Sequence, residues 1–215
     1  MKSFQKFSVC LKWEQALLLD SSVDDEVLNP GQCAYATVGS IFLVDRGHRQ
    51  HFAGEFQIEF LDVMRGLGLG MTVDEICEHS EYLSQMASEL YDESDHLRAE
   101  VLDLLGSKLL SPNALLIERL ALIPKYRGHG LGLRVLRALI QRFSHGAGIV
   151  AIRAQPLQFE AQTKNPRQLL LEEYSQNPIA ASKALAHHFG KLGFKRMPKS
   201  RVSVISCLSS LPDLA

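Results

Sequence analysis

The chain has 215 residues, of which 46% are hydrophobic and 22% charged, a balance typical of a globular protein with a substantial core. This composition excludes collagen-like, disordered and disulfide-scaffold proteins, and no apolar run approaches the roughly 18 residues that a membrane-spanning helix needs. The formal charge of −1 hides an asymmetry, because residues 1–110 carry 19 acidic and 8 basic side chains and residues 111–215 carry 5 and 15. A basic region favours an anionic ligand and an acidic region a cationic one.

Cysteine usage and the first residues indicate a reducing compartment. The four cysteines lie far apart, and no two of them form a CxxC pair. The first 14 residues mix charged and apolar side chains and lack the apolar core of a secretory signal. We therefore expect a cytoplasmic protein with reduced cysteines, no membrane partner and no bound metal. The cysteines are Cys10, Cys33, Cys77 and Cys207.

The first 110 residues predict three strands followed by a helical region. Runs of β-branched and aromatic residues, or alternation of apolar with polar ones, predict the strands. Glycines at positions 66, 68 and 70 then predict a break. Helical spacing starts after Thr72, a good N-cap, and runs to about Lys108 with a break near residues 91–93 that makes two helices. The predicted strands are Phe7–Trp13, Ala34–Asp45 and Phe56–Phe60.

The second half alternates strands with helices, an order that indicates α/β construction. The apolar run Ala114–Ile123 is too short for a typical amphipathic helix and predicts a buried strand. A glycine-rich turn follows, and then a helix that starts at Leu131 and stops at His145-Gly146. The remaining predicted elements are a strand at Ile149–Ala154, a helix at Ala180–Lys191 and strands at Phe194–Met197 and Arg201–Cys207.

The glycine-rich turn between strand and helix is the segment that points to chemistry. Glycines let backbone N–H groups converge, and a helix N-terminus adds unpaired donors and partial positive charge, so the segment favours phosphate or pyrophosphate. Its spacing fits neither a P-loop nor the dinucleotide-binding fingerprint, whose third glycine stands one residue later. A purely structural turn is the alternative. The segment reads Arg127-Gly128-His129-Gly130-Leu131-Gly132.

Two segments resemble the GNAT superfamily of N-acetyltransferases. Residues 120–132 are similar to the acetyl-CoA-binding segment of that family, whose Arg/Gln-x-x-Gly-x-Gly/Ala pattern is matched by Arg127, Gly130 and Gly132. Residues 184–194 resemble its alanine-rich helix that closes with an aromatic residue, a short spacer and Gly-Phe. The resemblance covers residues 111–207 and extends only loosely to residues 1–110.

The resemblance implies an α/β (α+β) fold with a mixed, mostly antiparallel, twisted sheet flanked by helices. Two parallel central strands would enclose a V-shaped split, with residues 116–123 beside residues 149–154 at the start and diverging from them. We expect a single domain over residues 1–215. Residues 1–110 would form the acceptor side with extra helices, and residues 111–207 the acetyl-CoA-binding core.

The resemblance also assigns contacts to acetyl-CoA, the expected cosubstrate. The pantetheine arm would pair with the strand edge near Leu120 and Leu122, as an added strand does. The pyrophosphate would rest on the N–H groups of the glycine-rich segment, from Arg127 through Gly128, His129, Gly130 and Leu131 to Gly132. On the later helix, Ser182 stands where the family often has a pantetheine contact. Phe189 stands where it often has a tyrosine that acts as general acid.

In this family an amine attacks the thioester directly, and a strand N–H near Leu120 to Leu122 polarises the carbonyl. Glu118 is the best candidate base, because it is a carboxylate in an apolar strand whose burial would raise its pKa. Alternation predicts that it shares a face with Leu120 and Leu122; a structural salt bridge is its alternative role. Since Phe189 has no proton to give, either His187 or His188 replaces the tyrosine, with His188 our candidate, or the thiolate leaves without a dedicated acid.

The sequence therefore predicts an N-acetyltransferase that transfers an acetyl group from acetyl-CoA to an amine on a small molecule, peptide or protein. The acidic first region favours a cationic acceptor. The alternative is a non-catalytic acyl-CoA-binding regulatory module, which Phe189 favours. We do not expect nucleic acid as the primary partner, because the cations of residues 191–201 lack stacking aromatic residues. The long first region would build an acceptor pocket or a homodimer interface.

Overall fold

The computed structural model describes residues 7–15, 32–106, 109–154 and 177–213. Residues 20–31, the acidic stretch of sequence before β2, lie outside these ranges. Within them, no helix combines the length and the apolar character that crossing a bilayer requires. The elements are β1 Ser8–Gln15, β2 Ala34–Val44, β3 Gln50–Leu61, α1 Val63–Gly68, α2 Val73–Cys77, α3 Glu81–Leu90, α4 Ala99–Leu105, β4 Ala114–Leu122, a 3-10 turn at Pro124–Tyr126, α5 Leu131–Phe143, β5 Ile149–Arg153, α6 Pro178–Gly190, β6 Lys195–Arg196 and β7 Val202–Ser206.

The seven strands form one sheet in the order β1-β2-β3-β4-β5-β7-β6. Every neighbouring pair is antiparallel except β4 and β5, which run parallel at the centre. A parallel pair needs a crossover connection, and α5 supplies it between β4 and β5. The prediction of a mixed, mostly antiparallel sheet with two parallel central strands and flanking helices is confirmed.

Each face of the sheet carries its own hydrophobic core. Leu115 and Ile117 point to a cluster that includes the apolar side of α5 and residues of α6. Ala114 and Leu116, which alternate with them, point to a second cluster built with α1, α2, α3 and α4. Because both faces are covered, β4 is apolar on both sides over its first four residues, as a central parallel strand requires.

The helical region after β3 differs from the prediction. Three short helices replace the two expected over residues 73–108, because the Ser80 side chain accepts the Leu83 N–H and starts α3 anew. Residues 91–98 form the expected break, closed by a bridge between Tyr91 and Leu97. The predicted Thr72 cap is confirmed as a capping box with Glu75.

The predicted break at the glycines is also wrong in part, because residues 63–68 form α1. The Asp62 side chain caps this helix by accepting the Arg65 N–H. Gly66 lies inside the helix because α2 packs directly on it. A Cβ at Gly66 would stand 2.1 Å from Cδ1 of Ile76. This glycine therefore serves close helix packing rather than a turn.

Candidate functional site

The two central parallel strands pair only at their beginnings. Among the described residues, pairing runs from Ala114 opposite Ile149 to Ile117 opposite Ile152, although β4 continues to Leu122. The last five residues of β4 therefore extend beyond the register with β5. We call the space beside residues 118–122 the cleft.

A β-bulge in β4 lies at the start of the cleft. On β3, Gln57 is opposite Arg119 and the next residue, Ile58, is opposite Ile117, so Glu118 is the extra residue. Bulges bend a strand and increase its twist. The strand thus changes direction at the position where its pairing with β5 ends.

The bulge also overturns the prediction that Glu118 shares a face with Leu120 and Leu122. Both leucines pack against the cluster on the α5 and α6 side. Glu118 instead accepts a hydrogen bond from Nε2 of Gln57. Gln57 alternates with Phe56 and Ile58 of the α5-side cluster, so its side chain lies on the opposite face of the sheet, toward α3. Simple alternation fails here because one inserted residue shifts the face of everything that follows.

The backbone of β4 turns polar groups into the cleft. The Ile123 N–H donates to the carbonyl oxygen of Ala53 at 2.9 Å, across the β3 side. Because the direction of the N–H and C=O groups alternates from one residue to the next along a strand, the N–H and C=O groups of Leu122 and Leu120 point away from β3. The carbonyl of Leu122 accepts Nε of Arg127 at 2.8 Å on that side. The N–H of Leu120 is therefore aimed into the cleft.

The glycine-rich segment connects β4 to α5 at the far end of the cleft. Gly128 and Gly130 adopt φ of 76° and 71°, in the left-handed region that favours glycine, and Gly130 caps α5. A Cβ built at either position meets no described atom within 4 Å, so the space before the helix is open. His129 between them is exposed, whereas the Leu131 side chain is buried in the core. The helix N-terminus thus presents backbone N–H groups to open space.

Gly132 marks where α5, β4 and α6 meet. A Cβ at this position would stand 3.8 Å from Cδ1 of Leu122 and 3.8 Å from Nε2 of His188. His188 is half-buried, and its pKa is lowered by burial first, and then by the charges of Lys191 and His187. The structure therefore brings the candidate His188 close to the glycine-rich segment, in a mainly neutral form at pH 7.

The other two candidates on α6 are buried. Oγ of Ser182 donates to the carbonyl of Ala154 at 2.6 Å, which fastens α6 to the end of β5. Phe189 packs in the core with its ring 6.2 Å from that of Phe194. Ser182 thus lies at the β5 border of the cleft with its donor engaged, and Phe189 acts as a packing residue in this arrangement.

A buried carboxyl lies beside the half-buried Glu118, and sequence reasoning missed it. Glu59 on β3 is 7% exposed, and its pKa is raised to about 7, chiefly by burial and further by the charge of Glu118. A hydrogen bond from Gln57 opposes this rise. Gln57 contacts both carboxyl groups, so the two form one coupled site, which we call the carboxylate pair.

The sequence signal for Glu59 was present but ambiguous. Polar residues alternate with apolar ones along β3, and this pattern is typical of a strand with one face in solvent. The α1–α4 region covers that face instead, and its cluster includes Leu61 of the same strand. Helices that enclose the polar face of a strand distinguish a candidate site from an ordinary face exposed to solvent.

Comparisons with known proteins returned no match: no family model, no curated protein and no solved structure is significantly similar to this chain. Among the described residues, no group of three or more histidine, cysteine or acidic side chains is arranged to hold a metal ion. The functional interpretation therefore rests on the geometry of the cleft, the glycine-rich segment and the carboxylate pair.

Proposed function

We propose that this chain is an acyl-CoA-dependent N-acyltransferase of the GNAT type that transfers an acetyl group from acetyl-CoA to an amine. One coincidence carries the proposal. The end of β4–β5 pairing and the Glu118 bulge occur at adjacent residues, and the glycine-rich N-terminus of α5 lies at the other end of the same strand segment.

The residues along the cleft fit an elongated acyl thioester with a phosphate group at one end. On the cleft side of β4, the Leu120 carbonyl and the Leu122 N–H are placed to pair with an extended chain, in the manner of an added strand. The N–H groups from Gly128 to Gly132 stand at a helix N-terminus, where anions bind favourably. The Arg127 side chain supports this end by holding the Leu122 carbonyl. Acetyl-CoA supplies the activated acyl group.

The chain's part in the reaction is positioning, polarisation and proton transfer. Glu118 accepts a proton from the ammonium form of the acceptor, and the free nitrogen bonds to the thioester carbonyl carbon as the carbon–sulfur bond breaks. The Leu120 N–H stabilises the negative charge that develops on the carbonyl oxygen. The second nitrogen proton neutralises the departing thiolate through solvent.

The carboxylate pair suits the role of base. Burial first, and then the charge of Glu118, raise the pKa of Glu59 to about 7, so Glu59 is largely protonated below that pH and Glu118 is the member of the pair that carries the negative charge. Glu118 is less buried than Glu59, so we assign it the contact with the amine. Glu59 is then a positioning residue that shares the Gln57 amide with Glu118.

The proposed enzyme and its non-catalytic alternative differ in whether the departing thiolate needs a proton donor. Phe189 has none to give, and the lowered pKa of His188 disfavours its charged form at neutral pH. A thiol has an ordinary pKa of about 8.5, so the thiolate is a tolerable leaving group without a dedicated acid. The same observations favour the alternative of a non-catalytic acyl-CoA-binding regulatory module.

Thiol release from acetyl-CoA, measured across a panel of primary amines, tests the proposal. We expect amine-dependent thiol release and an acetylated product of the corresponding mass. Saturable acetyl-CoA binding with no thiol release for any amine would select the regulatory module. Absence of both binding and release would reject the acyl-CoA site.

A further inference from the structure

A depression of about 390 Å³ lies on the α3 face of the sheet, beside the end of β5. Its charged lining is mainly basic, with three cationic side chains and a single carboxylate. Residues from β5, α3 and the turn between β6 and β7 meet here. The basic residues are Arg153, Lys199 and Arg201, and α3 contributes Gln85, Ser88 and Glu89. We call this feature the basic depression.

The strand register relates the basic depression to the carboxylate pair. Ile117 and Ile152 are the last paired residues of β4 and β5, so Glu118 and Arg153 are the first residues at which the strands part. Paired residues of neighbouring strands point to the same face, and residues 118 and 153 both follow the alternation toward α3. The two features therefore lie on the same face, on opposite sides of the cleft.

The Arg153 side chain and the backbone that carries Arg201 are held in place before any ligand arrives. Nη1 of Arg153 donates to Oε1 of Gln85 at 2.7 Å, and its guanidinium lies 6.0 Å from the centre of the Tyr82 ring. The Arg201 carbonyl accepts the Ala154 N–H at 2.8 Å, which ties the β6–β7 turn to the end of β5. Such preorganisation reduces the entropy that binding would cost.

The backbone of the turn supports the same conclusion. Lys199 adopts φ of 56°, a left-handed conformation that is unfavourable for a side chain of this type. On either side of it the Met197 N–H donates to the Val202 carbonyl at 2.9 Å, and the Ser200 hydroxyl accepts the Val202 N–H at 2.9 Å. The turn thus presents Lys199 in a fixed and unfavourable conformation at the border of the basic depression.

We propose that the acceptor is an amine that also carries an anionic group, a carboxylate or a phosphate. This inference rests on the proposed N-acyltransferase function. Lys199 and Arg201, with Arg153, bind the anionic group, and the amine end then lies across the cleft toward Glu118. The charges at the two ends of such an acceptor complement the two sides of the cleft. The local charge therefore differs from the acidic balance of residues 1–110, which predicted a cationic acceptor.

Matched pairs of amines test the inference. β-Alanine is compared with β-alaninamide, and phosphoethanolamine with ethanolamine, so that each pair differs in the anionic group. We expect kcat/KM to be at least about tenfold higher for one anionic member than for its neutral partner. The pair with the larger ratio distinguishes carboxylate from phosphate.

Two variants and a control assign the preference to the basic depression. Lys199→Gln and Arg201→Gln should each reduce the anionic preference several-fold, and the double variant should bring it close to one. Arg49→Gln removes the same charge from an exposed position on the β2–β3 turn and should leave the preference unchanged. Turnover of the neutral amines should persist in all variants.

The possible results separate the two proposals. Amine acetylation with equal kcat/KM for charged and neutral partners, or a preference that survives the double variant, overturns the inference and leaves the proposed function standing. Failure of every amine, together with no acetyl-CoA binding, rejects the proposed function and the inference with it. Acetyl-CoA binding without turnover, and no binding of either anionic amine by calorimetry, also overturns the inference.

Discussion

The cleft is bordered by two regions that are built in different ways. The glycine-rich segment is six consecutive residues whose backbone forms one helix N-terminus. The carboxylate pair and the basic depression are each assembled from side chains on separate elements that the sheet register brings to one face. A binding site formed by contiguous backbone is recognisable as a motif in the sequence. A site whose side chains come together through the pairing register of separate strands leaves no such motif.

The largest expected effect tests whether the assembled region holds the base. Glu118→Gln keeps the size of the side chain and removes its capacity to accept a proton. We expect kcat/KM to fall about 100- to 1,000-fold, the usual contribution of a general base, with acetyl-CoA affinity unchanged. Steady-state kinetics and calorimetry measure the two quantities. Glu78→Gln, at an exposed position after α2, is the matched control, and a loss below about threefold in Glu118→Gln would remove this residue from the mechanism.

The sequence predicts the contiguous glycine-rich segment better than the regions assembled from separate elements. The apolar runs and the glycine spacing predict β4 and α5, which the structure confirms because local sequence determines them, whereas anion binding at the turn between them stays a prediction. The face of Glu118 was predicted wrongly, because a bulge depends on the partner strand. Glu59 was not predicted as a site residue, because the helices that enclose its face lie elsewhere in the chain.

The second prediction concerns the effect of the buried Glu59 on the stability of the fold. The pKa of Glu59 is raised to about 7 in the folded chain, above its ordinary value, so the folded state binds this proton more tightly than the unfolded state does. The free energy of unfolding therefore falls as pH rises from about 4 to 7, and the loss is complete above that range. Glu59→Gln should increase the free energy of unfolding by about 2 kcal/mol at pH 8 relative to the parent, and by much less near pH 4.

Urea denaturation at the two pH values measures this difference. Glu78→Gln again serves as the control. An equal stability change at both pH values would contradict a raised pKa for Glu59.

The smallest expected effect concerns His188, which stands between α6 and the glycine-rich segment. Because its pKa is lowered, we expect His188→Ala to reduce kcat by less than about threefold. His187→Ala removes the exposed neighbouring ring and is the matched control. Two results together would instead make His188 the general acid: a loss of about 100-fold in His188→Ala but not in His187→Ala, and a parent kcat that decreases with rising pH at a pKa below 6.5.

Calorimetric titration of acetyl-CoA into the parent protein, Gly130→Asp and Gly130→Asn tests the central claim most directly. Asparagine and aspartate have similar size, and both tolerate the left-handed conformation better than most residues, so the two variants differ mainly in charge. We expect the parent and Gly130→Asn to bind, and Gly130→Asp to lose about 100-fold or more in affinity as its carboxylate repels the pyrophosphate. Absence of binding by the parent, or equal binding by all three proteins, would contradict the assignment of the glycine-rich segment as the acyl-CoA site.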